Sequence, residues 1–200
     1  MIRELVIATH NAGKLREFES LLAPLGIAVK SAGQLGIPEP EETGATFAEN
    51  AELKARYSML ASGLPALADD SGLVIPALGG APGIYSARWA GPDKNFNTAF
   101  DRIEKELDAA GAPASSPAYF ACALALAFPG GECIHFEGRA HGTLTFPPRG
   151  KNGFGYDPVF IPEGYDVTFA ELEANTKQAI SHRARAFSEF LIYMEQRAAS

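Results

Sequence analysis

The polar residues Thr9, Asn11 and Lys14 follow an apolar run at residues 5–8 and precede a segment with helical spacing. Backbone N–H groups at a helix start carry partial positive charge, which favours an anion such as phosphate. Thr and Asn side chains can also donate to phosphate oxygens, and Lys14 supplies a full charge. In the alternative interpretation, Asn11 only caps the helix and Lys14 is solvated. A Walker loop is excluded because its G-x-x-x-x-G-K-[ST] pattern is missing.

A second candidate is the acidic pair Asp69-Asp70, which lies between two apolar stretches. Adjacent carboxylates at the end of a strand repel each other and are costly to bury, so a bound divalent cation would compensate for them. Glu41 and Glu42, in the loop before a predicted helix, could supply further oxygen ligands. The alternatives are an ordinary turn for the aspartates and a solvated acidic loop for the glutamates.

The third candidate is a glycine-rich loop at residues 150–158 that carries two aromatic residues and an aspartate. Aromatic side chains beside a carboxylate can stack on a nucleobase and read its polar edge. A later segment adds cationic donors at a predicted helix start, although its histidine could instead lie on the surface. The residues of this candidate base site are Phe154, Tyr156, Asp157, Lys177, His182 and Arg183.

Hydrophobic periodicity predicts the elements that must position these residues. Spacings of three and four residues predict helices directly after the opening cluster, from the capping-box sequence at Thr46, at residues 95–109 and at residues 179–197. Residues 4–8 are typical of a strand, and two-residue alternation from Tyr119 predicts a long antiparallel hairpin, buried on both faces of its first strand. Because strands and helices intermix without regular βαβ alternation, we predict one α/β domain with a mixed β-sheet flanked by helices.

Composition restricts the function classes. With 200 residues, 46% of them hydrophobic, the chain can bury a full core. The net charge of −7 argues against a broad surface for nucleic acid, which is bound by clustered lysine and arginine. Cys122 and Cys133 lack metal-ligand spacing and predict buried free thiols. Glu4 lies where a signal peptide would have only positive charge, and no apolar run approaches 18 residues, so we predict a cytoplasmic protein without signal peptide or membrane span.

Together these motifs resemble the inosine/xanthosine triphosphate pyrophosphatase family of nucleotide-pool sanitising enzymes. The resemblance runs in order from residue 5 to about residue 190. The motifs that carry it are Thr9-x-Asn11-x-x-Lys14, Glu41-Glu42-Thr43-Gly44, Glu49-Asn50-Ala51, Ala68-Asp69-Asp70-Ser71-Gly72-Leu73, Gly79-Gly80-Ala81-Pro82-Gly83-Ile84-Tyr85-Ser86-Ala87-Arg88, Gly153-Phe154-Gly155-Tyr156-Asp157-Pro158 and Ser181-His182-Arg183.

The resemblance implies Mg²⁺-dependent hydrolysis of ITP, dITP and XTP to the monophosphate and pyrophosphate. It also implies a homodimer with an elongated mixed β-sheet, two lobes and a central active-site cleft. By the matched motifs, Asp70 would be general base and metal ligand, Lys14 a catalytic cation, and Glu41 or Glu42 a further ligand. His10 departs from the pattern, because many relatives carry glycine there. The substrate-binding residues would be Thr9, His10, Asn11, Ala12, Gly13, Lys14, Ser71, Phe154, Gly155, Tyr156, Asp157, Lys177, His182 and Arg183.

The segment GGAPGIYSARWAG, residues 79–91, predicts part of the dimer interface. A loop of this composition cannot bury Ile84, Tyr85 and Trp89 locally, and exposed aromatic clusters often mark an association surface.

Two other functions stay open at this point. One is a related pyrophosphatase that acts on modified pyrimidine triphosphates. The other is a nucleotide-binding regulator without catalysis, against which the paired acids at Asp69 and Asp70 favour an enzyme.

Overall fold

A six-stranded β-sheet with the strand order β2-β1-β3-β4-β5-β6 organises the fold. The computed structural model describes residues 2–199, with side chains described to residue 197. The strands are β1 (Glu4–Ile7), β2 (Ala28–Ser31), β3 (Ala66–Val74), β4 (Pro117–Ala127), β5 (Cys133–Leu144) and β6 (Phe160–Pro162). The α-helices are α1 (Ala12–Leu22), α2 (Phe47–Ser62), α3 (Ser86–Trp89), α4 (Phe96–Ala109), α5 (Ala174–Ile180) and α6 (His182–Ala199).

The sheet is mixed, which confirms the prediction. β1 pairs in parallel with both β2 and β3, whereas β5 pairs antiparallel with β6. β4 and β5 are neighbours joined by residues 128–132, a connection too short for a parallel crossover, so they form the predicted hairpin. Both faces of β4 are buried, because Leu124 and Leu126 lie in one apolar cluster and Ala123 and Ala125 in another.

Most helices follow the predicted periodicity. Thr46 caps α2 with both bonds of a capping box, and Ala51 and Met59 are buried on one face of the helix. The predicted helix at residues 179–197 is wrong at its start, because Ser181 is extended, with a ψ of 157°, and separates α5 from α6. Within residues 2–199, no helix combines the length and the apolar composition needed to cross a membrane.

β3 continues through the acidic pair, so the prediction that Asp69 and Asp70 end a strand is wrong, as is the alternative of a turn. The strand is nine residues long, and both aspartates are buried within it. A strand tolerates buried carboxylates when cationic side chains pair with them. Lys14, Lys54 and Arg183 supply these cations.

The chain forms two compact units, each with its own apolar core. The first unit contains the residues before Ser71, Cys122–Gly138 and the residues after His182. One apolar cluster of this unit joins β1 to α1 and α6, and another joins β1 to α2. The second unit contains Ser71–Ala121 and Arg139–His182, and α4 supplies much of its core. The cleft implied by the resemblance stays a prediction.

The segment at residues 79–91 is more regular than the predicted loop. It contains a 3₁₀ turn, Gly83–Tyr85, followed directly by α3. Trp89 is buried in the core of the second unit, and Arg102 of α4 lies 3.8 Å from its ring centroid. The prediction that this indole belongs to an exposed aromatic surface is therefore wrong, because α4 provides the packing partners that the segment itself lacks.

Candidate active site

Asp69 is the centre of a buried ion-pair network in the first unit. Its carboxylate lies 3.1 Å from Lys14 Nζ and accepts a hydrogen bond from Arg183 Nη2 at 2.9 Å. Arg183 also pairs with Glu17 of α1. Burial opposes the charge on this carboxylate, but the attraction of Lys14, Arg183 and Lys54 outweighs it and holds the pKa well below its ordinary range. Asp69 is therefore ionised at neutral pH and holds the cations around it.

Asp70, the next residue, has different partners. Its Oδ1 accepts a hydrogen bond from Lys54 Nζ at 2.8 Å, and its Oδ2 accepts one from Asn50 Nδ2 at 3.4 Å. Lys54 also donates to Glu42 Oε1 at 2.7 Å, so one ammonium binds two carboxylates. Burial raises the pKa of Asp70, although the attraction of Lys54 opposes this shift. Two carboxyls whose pKa values are pushed apart are typical of sites where one of them exchanges a proton.

The start of α1 confirms the helix cap that the sequence suggested, whereas phosphate binding there stays a prediction. Asn11 caps the helix, since its Oδ1 accepts hydrogen bonds from the backbone N–H groups of Gly13 at 2.8 Å and Lys14 at 3.1 Å. Lys14 is not simply solvated, however, because it pairs with the buried Asp69. The N-cap thus fixes the first turn of α1, which carries the Lys14 ammonium.

Thr9 and His10 precede this helix, and each makes a hydrogen-bond contact. Thr9 is buried, and its Oγ1 accepts a hydrogen bond from the backbone N–H of Asn11 at 3.1 Å. His10 Nε2 lies 2.9 Å from the carbonyl oxygen of Ile37, so the imidazole is directed to the segment after β2. Asn11 and Ala12 are exposed, as a site for an incoming anion requires.

Glu42 and Asp70 form a suitable pair of ligands for Mg²⁺. Both accept a hydrogen bond from the same Lys54 ammonium, so the two carboxylates lie close together. Glu41 is exposed, and this favours Glu42 in the choice that the sequence left open. Mg²⁺ prefers hard oxygen ligands and is usually held by one or two carboxylates together with substrate phosphates. The chemistry of this donor set therefore fits the ion.

A second cluster, in the other unit, contains residues predicted to bind the base. Asp157 Oδ2 accepts hydrogen bonds from Lys177 Nζ at 2.6 Å and from the Phe154 backbone N–H at 2.8 Å. Lys177 Nζ also lies 4.6 Å from the centroid of the Phe154 ring. A carboxylate, an ammonium and an aromatic face are thus held together by direct contacts.

Tyr156 and His182 are fixed by aromatic packing in the same unit. Tyr156 is buried, contacts the ring of Phe96 edge-on, and donates its hydroxyl to the Ser86 carbonyl at 2.8 Å. The His182 ring stacks on Phe120 with a centroid distance of 4.8 Å and an interplanar angle of 13°. His182 is only 5% exposed, so the alternative of a surface histidine is excluded.

The structure divides the predicted site residues between the two units. The guanidinium of Arg183 is bound by Asp69 and Glu17, and its predicted contact with the base stays a prediction. The first unit contains Thr9, His10, Asn11, Ala12, Gly13, Lys14, Glu41, Glu42, Asp70 and Arg183. The second unit contains Ser71, Phe154, Gly155, Tyr156, Asp157, Lys177 and His182.

Sequence reasoning missed two side chains of α2 as site residues. Asn50 and Lys54 are buried and contact Asp70, and Asn50 Oδ1 also accepts a hydrogen bond from the Gly44 N–H at 2.8 Å. With Ser58 they form a buried polar row at four-residue spacing beside the apolar face of the helix. A polar row at this spacing is visible in the sequence and could have identified them.

The chain matches known proteins along almost all of its length. The model of the Ham1 family matches residues 5–193. A dITP/XTP pyrophosphatase of Rhodospirillum centenum is 62% identical over 187 residues, which cover 94% of this chain and 92% of that protein. The structure of a HAM1 protein from Coxiella burnetii has a TM-score of 0.89 at 40% identity, covering 98% of this chain and all of the other.

The Ham1 protein of Staphylococcus aureus gives a similar result, with a TM-score of 0.84 at 36% identity and coverage of 97% and 99% of the two chains. These matches confirm the resemblance inferred from the motifs and the α/β fold with a mixed sheet. Because the family model and the relatives span nearly the whole sequence, the chain belongs to the Ham1 family.

Proposed function

We propose that the protein hydrolyses the non-standard purine triphosphates ITP, dITP and XTP to the nucleoside monophosphate and pyrophosphate. The observation that carries this proposal is the pair of adjacent aspartates in β3. Asp69 pairs with Lys14 and Arg183, whereas Asp70 accepts hydrogen bonds from Asn50 and from Lys54, and the Lys54 ammonium also binds Glu42. The relative from Rhodospirillum centenum, a dITP/XTP pyrophosphatase, supports the same reaction. The enzyme would remove these nucleotides from the nucleotide pool.

The first unit is proposed to bind the triphosphate and to catalyse its cleavage. Thr9 and the positive end of α1 attract the phosphates, and Lys14 stabilises the charge that develops on pyrophosphate. Asp70 accepts the proton of the attacking water as the bridge between the α- and β-phosphates breaks. Asp69 stays ionised and keeps Lys14 in place.

Mg²⁺ is the proposed cofactor, with Asp70 and Glu42 as its protein ligands. When bound, the ion neutralises phosphate oxygens and makes a water molecule a stronger acid. Lys54 keeps the two carboxylates together through its bonds to both. Asn50 links Asp70 to the loop before α2, because the same amide also binds Gly44.

The second unit is proposed to read the base. The ring of Phe154 offers a face for stacking, while Lys177 and His182 are candidate donors to the 6-carbonyl of hypoxanthine or xanthine. Adenine carries an amino group at this position and would leave a donor unpaired. An unpaired buried donor costs about 1–3 kcal/mol, which corresponds to about one to two orders of magnitude in kcat/KM.

We also propose that one nucleotide-hydrolysing domain comprises the whole chain and that the protein is a homodimer. The half-exposed ring of Tyr85, on the segment at residues 79–91, supports an association surface there. The net charge of −7 supports the proposal that no nucleic acid polymer is bound. A cytoplasmic location stays a prediction.

Release of pyrophosphate from ITP, dITP and XTP, measured with Mg²⁺ and with a chelator, tests the proposed function. We expect turnover that requires the ion, and a kcat/KM for ATP at least about tenfold lower. A panel with dTTP and UTP analogues tests the pyrimidine alternative, and faster turnover of these than of ITP and XTP at equal concentration would contradict the proposal. Binding of ITP without release of pyrophosphate would favour a regulator.

A further inference from the structure

A thiol, an imidazole and a carboxylate converge in the first unit, distinct from the residues assigned to substrate. They belong to Cys133 and His135 of β5 and to Glu52 of α2, and one ligand atom of each lies within 4.8 Å of the others. His135 Nε2 is 2.9 Å from Glu52 Oε2, and Cys133 is a free thiol. Because Cys133 and His135 are two residues apart on a strand, their side chains point to the same face.

We propose that Glu52, Cys133 and His135 bind a borderline-soft divalent transition-metal ion such as Zn²⁺. Zn²⁺ binds thiolate at about 2.3 Å and imidazole or carboxylate at about 2.0–2.2 Å, so tetrahedral ligand atoms lie roughly 3–4 Å apart. The present separations, from 2.9 Å between His135 and Glu52 up to 4.8 Å, bracket this spacing. Water fills the fourth position. Thiol and imidazole ligands favour this class of ion over Mg²⁺, which prefers oxygen.

Arg56 positions the carboxylate of this site. Its Nε donates to Glu52 Oε1 at 2.6 Å, and its Nη1 donates to the Gly131 carbonyl at 2.9 Å. Arg56 therefore fixes Oε1 of Glu52, while Oε2 of the same carboxylate contacts His135. Ligating carboxylates are commonly oriented by such an outer partner. The bound ion would cross-link α2 to β5.

Binding exchanges a proton and water for protein ligands. The Cys133 thiol releases its proton to solvent as its sulfur bonds to the ion. The neutral imidazole of His135 gives up its hydrogen bond to Glu52, carries its proton on Nδ1 and contributes the Nε2 lone pair, while the ion loses part of its water shell. No electron is transferred. The spacing of the two cysteines could not indicate this site, because its ligands are one cysteine, a histidine two residues later and a glutamate from a distant helix.

Titration of the full chain with Co²⁺ tests the proposal, with excess Mg²⁺ present to occupy the carboxylates of the substrate site. Thiolate-bound Co²⁺ absorbs in the near ultraviolet, so we expect a charge-transfer band that saturates at one ion per chain and that equimolar Zn²⁺ removes. Cys133→Ser should abolish the band. Glu52→Gln and His135→Gln should each weaken Co²⁺ binding by at least about tenfold.

His141→Gln is the matched control, because His141 is an exposed histidine of the same strand that packs against Tyr119 at a centroid distance of 5.4 Å. This variant should bind Co²⁺ like the wild type, and Cys122, which remains in C133S, is an internal control for the thiol. Zn²⁺ should raise the Tm of the wild type but not of C133S. The proposal is overturned if the wild type shows no band, if C133S keeps the band, or if E52Q and H135Q both bind like H141Q.

Discussion

Neighbouring aspartates acquire different chemistry when the cations around them differ. Asp69 and Asp70 are both buried in the same strand, so burial alone cannot distinguish them. Asp69 pairs with both Lys14 and Arg183, which keeps its pKa low despite burial, whereas Asp70 relies mainly on Lys54. Of two buried carboxylates, the one with the higher pKa is the stronger base, so Asp70 is the better candidate for the proton acceptor.

Replacement of Asp70 by Asn tests the assignment of the general base. The amide keeps the shape of the carboxylate but cannot accept the proton, so turnover of ITP should fall by at least about a hundredfold. Steady-state release of pyrophosphate measures this loss. Asp101→Asn, at an exposed aspartate of α4, is the matched control and should keep the wild-type rate. A D70N enzyme with near wild-type turnover excludes Asp70 as the base.

Asp69→Asn should reduce stability as well as activity. The substitution leaves the buried Arg183 without one of its carboxylates, and breaking a buried ion pair costs about 3–5 kcal/mol in the free energy of unfolding. Because the pKa of Asp69 is lowered on folding, its contribution is complete above the unfolded value of about 3.9 and declines as the pH falls below it.

Denaturant unfolding of the wild type and D69N at several pH values measures this effect. The difference between the two proteins should be constant from about pH 6 to 8 and should shrink below about pH 4. Equal stabilities of the two proteins at pH 7 would show that the network around Asp69 is not a source of stability.

At the scale of elements, periodic burial made most helices and strands predictable. Phe100, Ile103 and Leu107 recur at helical spacing, and all three are buried where α4 meets the core. Such a pattern is local, because one element contains both its period and its buried face. The continuation of β3 through Asp69 and Asp70 could not be predicted from a local pattern. Lys54 and Arg183, which permit carboxylates inside it, lie 16 and 114 residues from their partners.

The glycine-rich loop depends on Gly153, which has a φ of 72°. A Cβ at this position would overlap Oδ2 of Asp157, the atom that binds Lys177 and the backbone N–H of Phe154. Gly153→Ala should therefore displace the carboxylate. The expected result is an increase in KM for ITP of about ten- to hundredfold, the equivalent of one charged hydrogen bond.

Gly111→Ala is the matched control for this substitution. Gly111 has a φ of 65°, but a Cβ there would meet no atom within 4 Å. Both alanines bear the cost of a left-handed backbone, about 1–2 kcal/mol, so the comparison isolates the clash with Asp157. Kinetics of the two variants with ITP supply the measurement, and equal KM values would contradict a role for this loop in binding.

At the scale of the whole molecule, the two units are interleaved along the chain. The chain passes from one unit to the other inside β3, β4 and β5 and within the first turn of α6. Boundaries between domains are usually recognised in a sequence by a linker of different composition. Here the boundaries lie inside strands and a helix, so the sequence contains no such linker. The short motifs were predictable because each is local, whereas the division of the site residues between units depends on long-range packing.

The homodimer is the prediction that concerns the molecule as a whole. Trp89 is unsuitable for testing it, because a charge in this buried position would disrupt the core of the second unit. Tyr85 is 49% exposed, and Arg88 lies 5.1 Å from the centroid of its ring. In a two-fold dimer one substitution changes both copies of an interface, so Tyr85→Glu should shift the equilibrium strongly toward the monomer.

Light scattering at micromolar concentration measures this equilibrium. The wild type should have twice the 21.2 kDa mass of one chain, and Y85E should approach the mass of one chain. Tyr165→Glu is the matched control, because Tyr165 is another exposed tyrosine of the same unit but lies outside the segment at residues 79–91, so this substitution should leave the dimer intact. A wild-type mass near 21.2 kDa rejects the dimer. A dimeric Y85E protein would place the interface elsewhere, because a charged residue in the centre of an interface is poorly tolerated.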